Sequence, residues 1–200
     1  MFKVGITGNI GSGKTTVCKI FEVLGVPVFY ADDEAKKVMV EDELLIAGIK
    51  HAFGDEAYFA DGNLNRKYIA GIVFNNKDEL AKLNELVHPA TFRAFDKWVA
   101  MQKDAPYVLK EAAILFESDS YKLCNRSIMV TAPLDIRIKR VTERDGITAD
   151  DVKSRNSRQF TEEKKLALAD DVIINDGKHL VIPQVLKLHK LYLSLAQQNS

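Results

Sequence analysis

Gly8-Asn9-Ile10-Gly11-Ser12-Gly13-Lys14-Thr15 has residue types at a spacing that can hold a polyphosphate. The run matches G-x4-G-K-[ST], with glycines that let backbone N–H groups turn inward without a Cβ in the way. The Lys14 ammonium reaches β- and γ-phosphates, and the Thr15 hydroxyl can bind Mg²⁺. Thr16 comes next and supports the loop from the helix. Asn9, Ile10, Gly11, Ser12 and Gly13 are the expected backbone contacts, with Thr16 beside them. The run follows the apolar strand-like "FKVGIT" (2–7), and Val17, Ile20, Phe21 and Leu24 then recur at helical spacing. A strand before and a helix after is the context the motif requires.

A second candidate lies at Tyr30-Ala31-Asp32-Asp33, after the short apolar strand "VPVFY" (26–30). In a parallel sheet the loop after this strand opens on the same edge as the phosphate loop. A carboxylate there can accept a proton from an attacking hydroxyl or help hold Mg²⁺. Asp32 and Asp33 are adjacent and point different ways. One can face the site while the other caps or charges the first turn of a helix beginning near Glu34, and spacing leaves both assignments open. A hydrolysing GTPase is disfavoured: no D-x-x-G occurs, and Asn76-Lys77-Asp78-Glu79 ends in Glu where a guanine reader requires Asp.

Residues 135–165 are dense in charge, and Arg140 and Arg144 stand at i, i+4, on one helix face, where both can reach one anion. Arg155, Arg158 and Gln159 follow on a second charged helix as further candidates. Taken one at a time, such charges read as a solvated surface.

The elements that must position these residues are those of a parallel α/β sheet. After the opening strand–loop–helix–strand unit, residues 33–104 read as helical, with breaks at Gly54 and Gly62. "PYVLKEAAILF" (106–116), "RSIMVTA" (126–132) and "DDVIIND" (170–176) read as strands. Helical sequence runs from about Leu134 to Leu168, broken at Asp145-Gly146. An amphipathic helix over 181–197 presents Val185, Leu188, Leu191, Tyr192 and Leu195. The expected fold class is an α/β P-loop three-layer sandwich with a central parallel sheet, as a single domain. Its nucleotide-binding core comprises 1–32, 105–134 and 169–200, with a helical insertion over 33–104 and a lid over 135–168.

Composition agrees. The chain has 200 residues, 46% hydrophobic, enough for one α/β domain. Its formal net charge is zero, which disfavours nucleic acid as a main partner. No apolar run approaches the roughly 20 residues a membrane span needs. "MFKVGITG" reads as a strand entering a loop rather than a signal peptide. Two distant cysteines, Cys18 and Cys124, read as small packing residues in a reducing cytoplasm. The chain is expected to be cytoplasmic, a monomer or weak homo-oligomer.

Beyond single motifs, the chain resembles the dephospho-coenzyme A kinase family over almost its whole length. Six blocks in order carry the resemblance: "TGNIGSGKTT", "YADDEAKKVM", "LVHP" (86–89), "ILFES" (114–118), "RVTERDGIT" (140–148) and "ADDVIINDG" (169–177). The resemblance implies transfer of the ATP γ-phosphate to the ribose 3′-hydroxyl of dephospho-CoA, with ATP and Mg²⁺. It implies Asp32 as the base or orienting group. It makes Arg140 and Arg144 lid residues on the ATP phosphates, with Arg144 the stronger candidate for the transferring group. It implies Asn175 and Gly177 on the adenine side, where the Asn175 amide would read the base edge. His88, Pro89, Leu115 and Arg66 are implied in the acceptor pocket, with Tyr68 and Phe74 beside them. Glu117, expected at a strand end, would contact the acceptor ribose or a metal-bound water. His51, His179 and His189 read as surface residues, and Phe92, Phe95 and Trp98 as packing. The chain departs from the family pattern at Tyr30, where Asp is common, at Ala113, where Pro is common, and at Val87. Glu111, near Ala113, has no role that this reading supplies.

Overall fold

The computed structural model describes residues 1–74 and 76–198; Asn75, Asn199 and Ser200 lie outside the described residues. Among the described residues, five strands form one parallel sheet: β1 (Phe2–Thr7), β2 (Val28–Tyr30), β3 (Tyr107–Glu111), β4 (Arg126–Thr131) and β5 (Asp171–Ile174). Their order is β2-β3-β1-β4-β5. β1 is central, pairing with β3 on one side (Ile6 opposite Glu111) and β4 on the other (Thr7 opposite Met129). Continuous burial of its apolar residues is what a strand covered on both faces demands.

The chain divides into two compact units, Met1–Tyr30 with Met101–Ser200, and Ala31–Ala100. In the first, α1 (Lys14–Val23) and α9 (Val181–Gln198) share a core with the sheet: Val17 and Phe21 of α1, Val185, Leu188 and Tyr192 of α9, and Val4, Ile6, Leu109 and Ile128 of the strands. Helix α1 stops where Gly25 takes φ 81°. The Gly25 N–H then donates to Glu22 O (2.9 Å) and Val26 N–H to Phe21 O (3.1 Å). That is the Schellman arrangement, and it turns the chain directly into β2. At Gly5 a Cβ would stand 2.7 Å from Leu115 Cδ2, so β1 must lack a side chain where the turn after β3 packs.

The second unit is helical: α2 (Ala31–Glu41), α3 (Glu43–Phe53), α4 (Arg66–Val73) and α5 (Lys77–Met101), with a short 3-10 turn at Asp55–Ala57. Val38, Leu45, Ile49, Phe53, Ile69, Val87 and Ala90 form its core. Asp42 caps α3 by accepting from Leu45 N–H (2.9 Å), and its other oxygen pairs with Arg93 of α5 (2.7 Å). Phe95 stacks on Trp98 and His88 on Phe92, so this aromatic set is packing within α5.

Four expectations change. Helix α2 begins at Ala31, three residues before Glu34, so neither aspartate is an N-cap. Asp32, Asp33 and Glu34 all sit in the first turn, where the helix dipole favours acids. β3 ends at Glu111, and residues 112–116 turn away from the sheet with Leu115 buried in place of a continuing strand. The stretch after Leu134 breaks twice, giving α6 (Leu134–Asp145), α7 (Ala149–Asn156) and α8 (Glu162–Leu168). Gly146 at φ 66° makes the first break. The polar link 157–161 makes the second, because Thr161 caps α8. On α9 the buried stripe runs Val185, Leu188, Tyr192, Ala196, while Leu191 is exposed.

Candidate active site

The phosphate loop joins β1 to α1 and is held by close contacts that only glycine permits. A Cβ on Gly8 would lie 2.4 Å from Val130 O, and one on Gly13 would lie 2.2 Å from Asn175 Nδ2. Gly11 and Gly13 both have positive φ (80° and 89°). Gly13 is the N-cap of α1 and offers no side-chain acceptor, so the helix start is open to an anion. Within the loop, Ser12 N–H donates to Asn9 O (3.0 Å). Ser12 Oγ and Asn9 Oδ1 are buried without a hydrogen-bond partner.

Four cations ring the loop. Gly11, Lys14 and Arg144 line two adjoining cavities of about 220 and 230 Å³. The first also takes Gly13, Thr15, Thr16 and Arg140; the second takes Ile10, Ala113, Arg155 and Gln159. Arg140 donates through Nη2 to Asn175 Oδ1 (3.4 Å), while its Nη1 is buried with no hydrogen-bond partner. That nitrogen lies 3.9 Å from where a Gly13 Cβ would stand, directly over the loop. A buried unpaired guanidinium donor is costly, so an acceptor is wanted there. Arg144 forms a fork with Asp145 (2.7 and 2.9 Å), and Arg155 approaches the same carboxylate at 3.7 Å. The guanidinium beside Asp145 holds that carboxyl below the usual carboxylate range. Lys14 Nζ lies 3.7 Å from Glu111 Oε1 at the end of β3.

Two further cations, not singled out as buried in the sequence, lie behind the loop, and Arg137 touches it directly. Arg137 of α6 is 4% exposed. Its Nε donates to Ala132 O, its Nη1 to Asn156 Oδ1 (2.7 Å) and Ile10 O (3.4 Å), and its Nη2 to Glu162 Oε2 (3.3 Å). Lys165 of α8 is fully buried, donating to Ala113 O (2.8 Å) and pairing with Glu117 (2.9 Å). Burial lowers its ammonium from the ordinary lysine value, against the opposing pull of Glu117. Glu117 Oε1 also accepts from Phe160 N–H (2.8 Å). Gln159 accepts from Ile10 N–H (2.9 Å), and Asn9 Nδ2 donates to Phe160 O (3.0 Å). The link 157–161 is thus stitched to the phosphate loop on one side and to the turn after β3 on the other.

Replacing Lys165 by Ala leaves the Glu117 carboxylate buried without its cation, and a loss of about 3–5 kcal/mol is expected in urea unfolding. Lys165→Met with Glu117→Leu recovers most of it, because apolar packing replaces a desolvated pair. A loss below about 1 kcal/mol in the single variant would mean that the pair contributes as little as a surface one.

Thr15 and Thr16 are exposed in the first turn of α1. Asn175, just past β5, turns its amide onto the loop, with Nδ2 donating to Ser12 O (2.9 Å). Gly177 (φ 80°) lies in a turn closed by Asp176, which accepts from Lys178 and His179 N–H (both 2.9 Å). His179 also pairs with the Asp176 carboxylate, and His189 is hydrogen-bonded to Tyr107 Oη (2.7 Å) rather than free on the surface. Leu115 is fully buried, which makes it core. Glu117 stands in the turn beyond β3, held by Lys165. In the helical unit, Asp32 is exposed in the first turn of α2, and Asp33 pairs with Lys36 (2.7 Å). Arg66 is exposed at the first position of α4; His88 is half-buried and Pro89 exposed, midway along α5. Tyr68 Oη donates to Phe53 O (2.8 Å), and Phe74 is exposed. A signal for Arg137 existed in the sequence only as helical spacing, since it falls one turn before Val141 on the buried face of α6.

Comparison with known proteins adds the family. The family model described as dephospho-CoA kinase matches residues 2–180. A dephospho-CoA kinase of Salinibacter ruber is 42% identical over 179 residues, covering 88% of this chain and 90% of that protein. A crystal structure of a Thermus thermophilus protein is similar with a TM-score of 0.83 and 32% identity, covering 95% of this chain and 96% of that one. The structure of dephospho-CoA kinase from Campylobacter jejuni is similar with a TM-score of 0.69 and 25% identity, covering 99% and 98%. With a central parallel sheet, a glycine loop ringed by cations and a match over residues 2–180, the chain belongs to the dephospho-CoA kinase family.

Proposed function

We propose that this kinase transfers the γ-phosphoryl group of ATP to the ribose 3′-hydroxyl of dephospho-CoA, giving CoA and ADP, the last step of coenzyme A synthesis. The acceptor side of this reading rests on the family match over residues 2–180, and the observation that carries the nucleotide side is the cationic cradle, where Arg140 Nη1 is buried and unpartnered above a loop in which glycine alone fits. A polyphosphate supplies the missing acceptor.

In this reading Lys14 and the amides at the start of α1 bind the β- and γ-phosphates. Arg140 and Arg144 neutralise charge that spreads over the phosphoryl oxygens during transfer. Arg144 must leave Asp145 to do so. Asp32 accepts or orients the proton of the attacking hydroxyl. Thr15 lines the same cavity as Lys14 and Arg140, and its exposed hydroxyl fits a Mg²⁺ ligand. When bound, the ion screens the negative charge of the two terminal phosphates. Asn175, Gly177 and the loop residues 9–13 complete the nucleotide side. Residues 135–168 act as the lid and exclude water. Residues 33–104 form the acceptor side, with Arg66 and the His88–Pro89 pair as candidate contacts. The place of action is the cytoplasm.

The direct test is the position of phosphorylation. With MgATP, dephospho-CoA gains one phosphoryl group by mass, and its 3′-deoxy analogue gains none. Phosphorylation of the 3′-deoxy analogue would overturn the assignment of the 3′-hydroxyl.

A further inference from the structure

The ion pair of Lys165 and Glu117 lies behind the candidate site, and the proposed chemistry gives it no part. Lys165 is fully buried, with its ammonium 2.9 Å from Glu117 Oε1. Replacing a buried pair by apolar residues of similar volume is often neutral or stabilising, so stability alone gives no reason for two charges in this place. The directions of their hydrogen bonds give one.

Those bonds converge on two residues. The Ala113 carbonyl accepts from three donors: Lys165 Nζ (2.8 Å), Thr7 Oγ1 at the end of β1 (3.3 Å) and Gln159 Nε2 (3.3 Å). Phe160 is held by both of its backbone groups. Its N–H donates to Glu117 Oε1 (2.8 Å), and its carbonyl accepts from Nδ2 of Asn9 in the phosphate loop (3.0 Å). Asn9 is 1% exposed, so this part of the network is shielded from water. Gln159 precedes Phe160 and is fixed with it: Oε1 accepts from Ile10 N–H (2.9 Å) while Nε2 reaches Ala113. Ile10, Ala113 and Gln159 line the same cavity as Lys14, Arg144 and Arg155. The ion pair thus sets one wall of that cavity from α8 without reaching into it.

We infer that Lys165 and Glu117 are positioning residues for phosphoryl transfer: together they hold the Gln159 wall against the phosphate loop, so that the terminal phosphoryl group passes to the acceptor and not to water. This inference rests on the proposed transfer and adds what keeps that transfer from becoming hydrolysis. A wall out of place misaligns the reacting groups and admits solvent. Water then takes the phosphoryl group in place of the ribose hydroxyl, giving ADP, inorganic phosphate and a proton. A pair that only supports the fold changes stability and leaves this partition alone.

The experiment uses the full chain carrying Lys165→Met with Glu117→Leu. ADP released and phosphorylated dephospho-CoA formed are both measured from MgATP, beside urea unfolding. The unfolding midpoint is expected to stay near that of the native protein. Formation of phosphorylated acceptor is expected to fall about 10–100-fold in kcat, with KM for ATP changed less than about threefold. The share of ADP not matched by phosphorylated acceptor is expected to rise about tenfold. A folded double variant with native kcat would overturn the inference. So would a fall in kcat with ADP still matched one for one by product, since the wall would then not govern water. Asn9→Ala releases the Phe160 carbonyl from the loop side and keeps the ion pair; it takes the place of the double variant if that does not fold, with the same readings. Native protein that forms no phosphorylated dephospho-CoA would overturn the proposed function itself, whereas native transfer with an unaltered partition in the variant overturns the inference about the pair alone.

Discussion

Lys14→Ala is expected to lower kcat/KM for ATP by about 10²–10³-fold, with ATP affinity and turnover both falling. Lys14 is the first residue of α1 and lines both cavities at the phosphate loop. Its ammonium meets charge on the β- and γ-phosphates in the ground state and follows the phosphoryl group as it moves, so both binding and rate depend on it. The substitution also leaves the nearly buried Glu111 carboxylate without the ammonium beside it. Some loss of stability is therefore expected, and rates are to be compared at a temperature where circular dichroism shows the variant folded. Unchanged kinetics in a folded variant would mean that the phosphates bind elsewhere.

Asp32→Asn is expected to lower kcat by about 10²–10⁴-fold while ATP binds as before. Asp32 follows β2 by two residues and is exposed in the first turn of α2, so amide for carboxylate alters little packing. The amide keeps the shape and loses the capacity to accept a proton. A drop in kcat with unchanged nucleotide affinity separates this role from that of Lys14. A near-normal rate would remove Asp32 as the base. Asp33, in an ion pair with Lys36, would then be the next carboxylate to substitute.

The framework was legible because it is local. The phosphate loop, the Gly25 stop of α1 and the apolar strands are written in short runs whose residue types admit few backbones. Charges that the fold turns inward were not legible. Arg137 and Lys165 sit among exposed Lys and Glu on charged helices, and their burial depends on carbonyls contributed by Ala132 and Ala113, one residue past β4 and two past β3. Glu117 is expected at a strand end, on the acceptor ribose or a metal-bound water; the chain leaves the sheet at Glu111 and pairs that acid with Lys165. The residues around Asn175 alone read as a plain Asn-Asp-Gly turn, and only the family resemblance implies the adenine side. The direction of the Asn175 amide follows from the loop carbonyl of Ser12, 163 positions earlier. Spacing leaves the Asp pair open between a cap and a first-turn acid of a helix near Glu34; the helix starts three residues earlier, at Ala31, and both acids lie in its first turn.

The most direct test of the central claim is ADP release from MgATP by the purified protein, with dephospho-CoA, AMP, a nucleoside or no acceptor added. ADP formed with dephospho-CoA and not with the others is the expected result. Equal release with AMP or a nucleoside would keep the nucleotide site and replace the acceptor, and equal release with no acceptor would contradict phosphoryl transfer to dephospho-CoA.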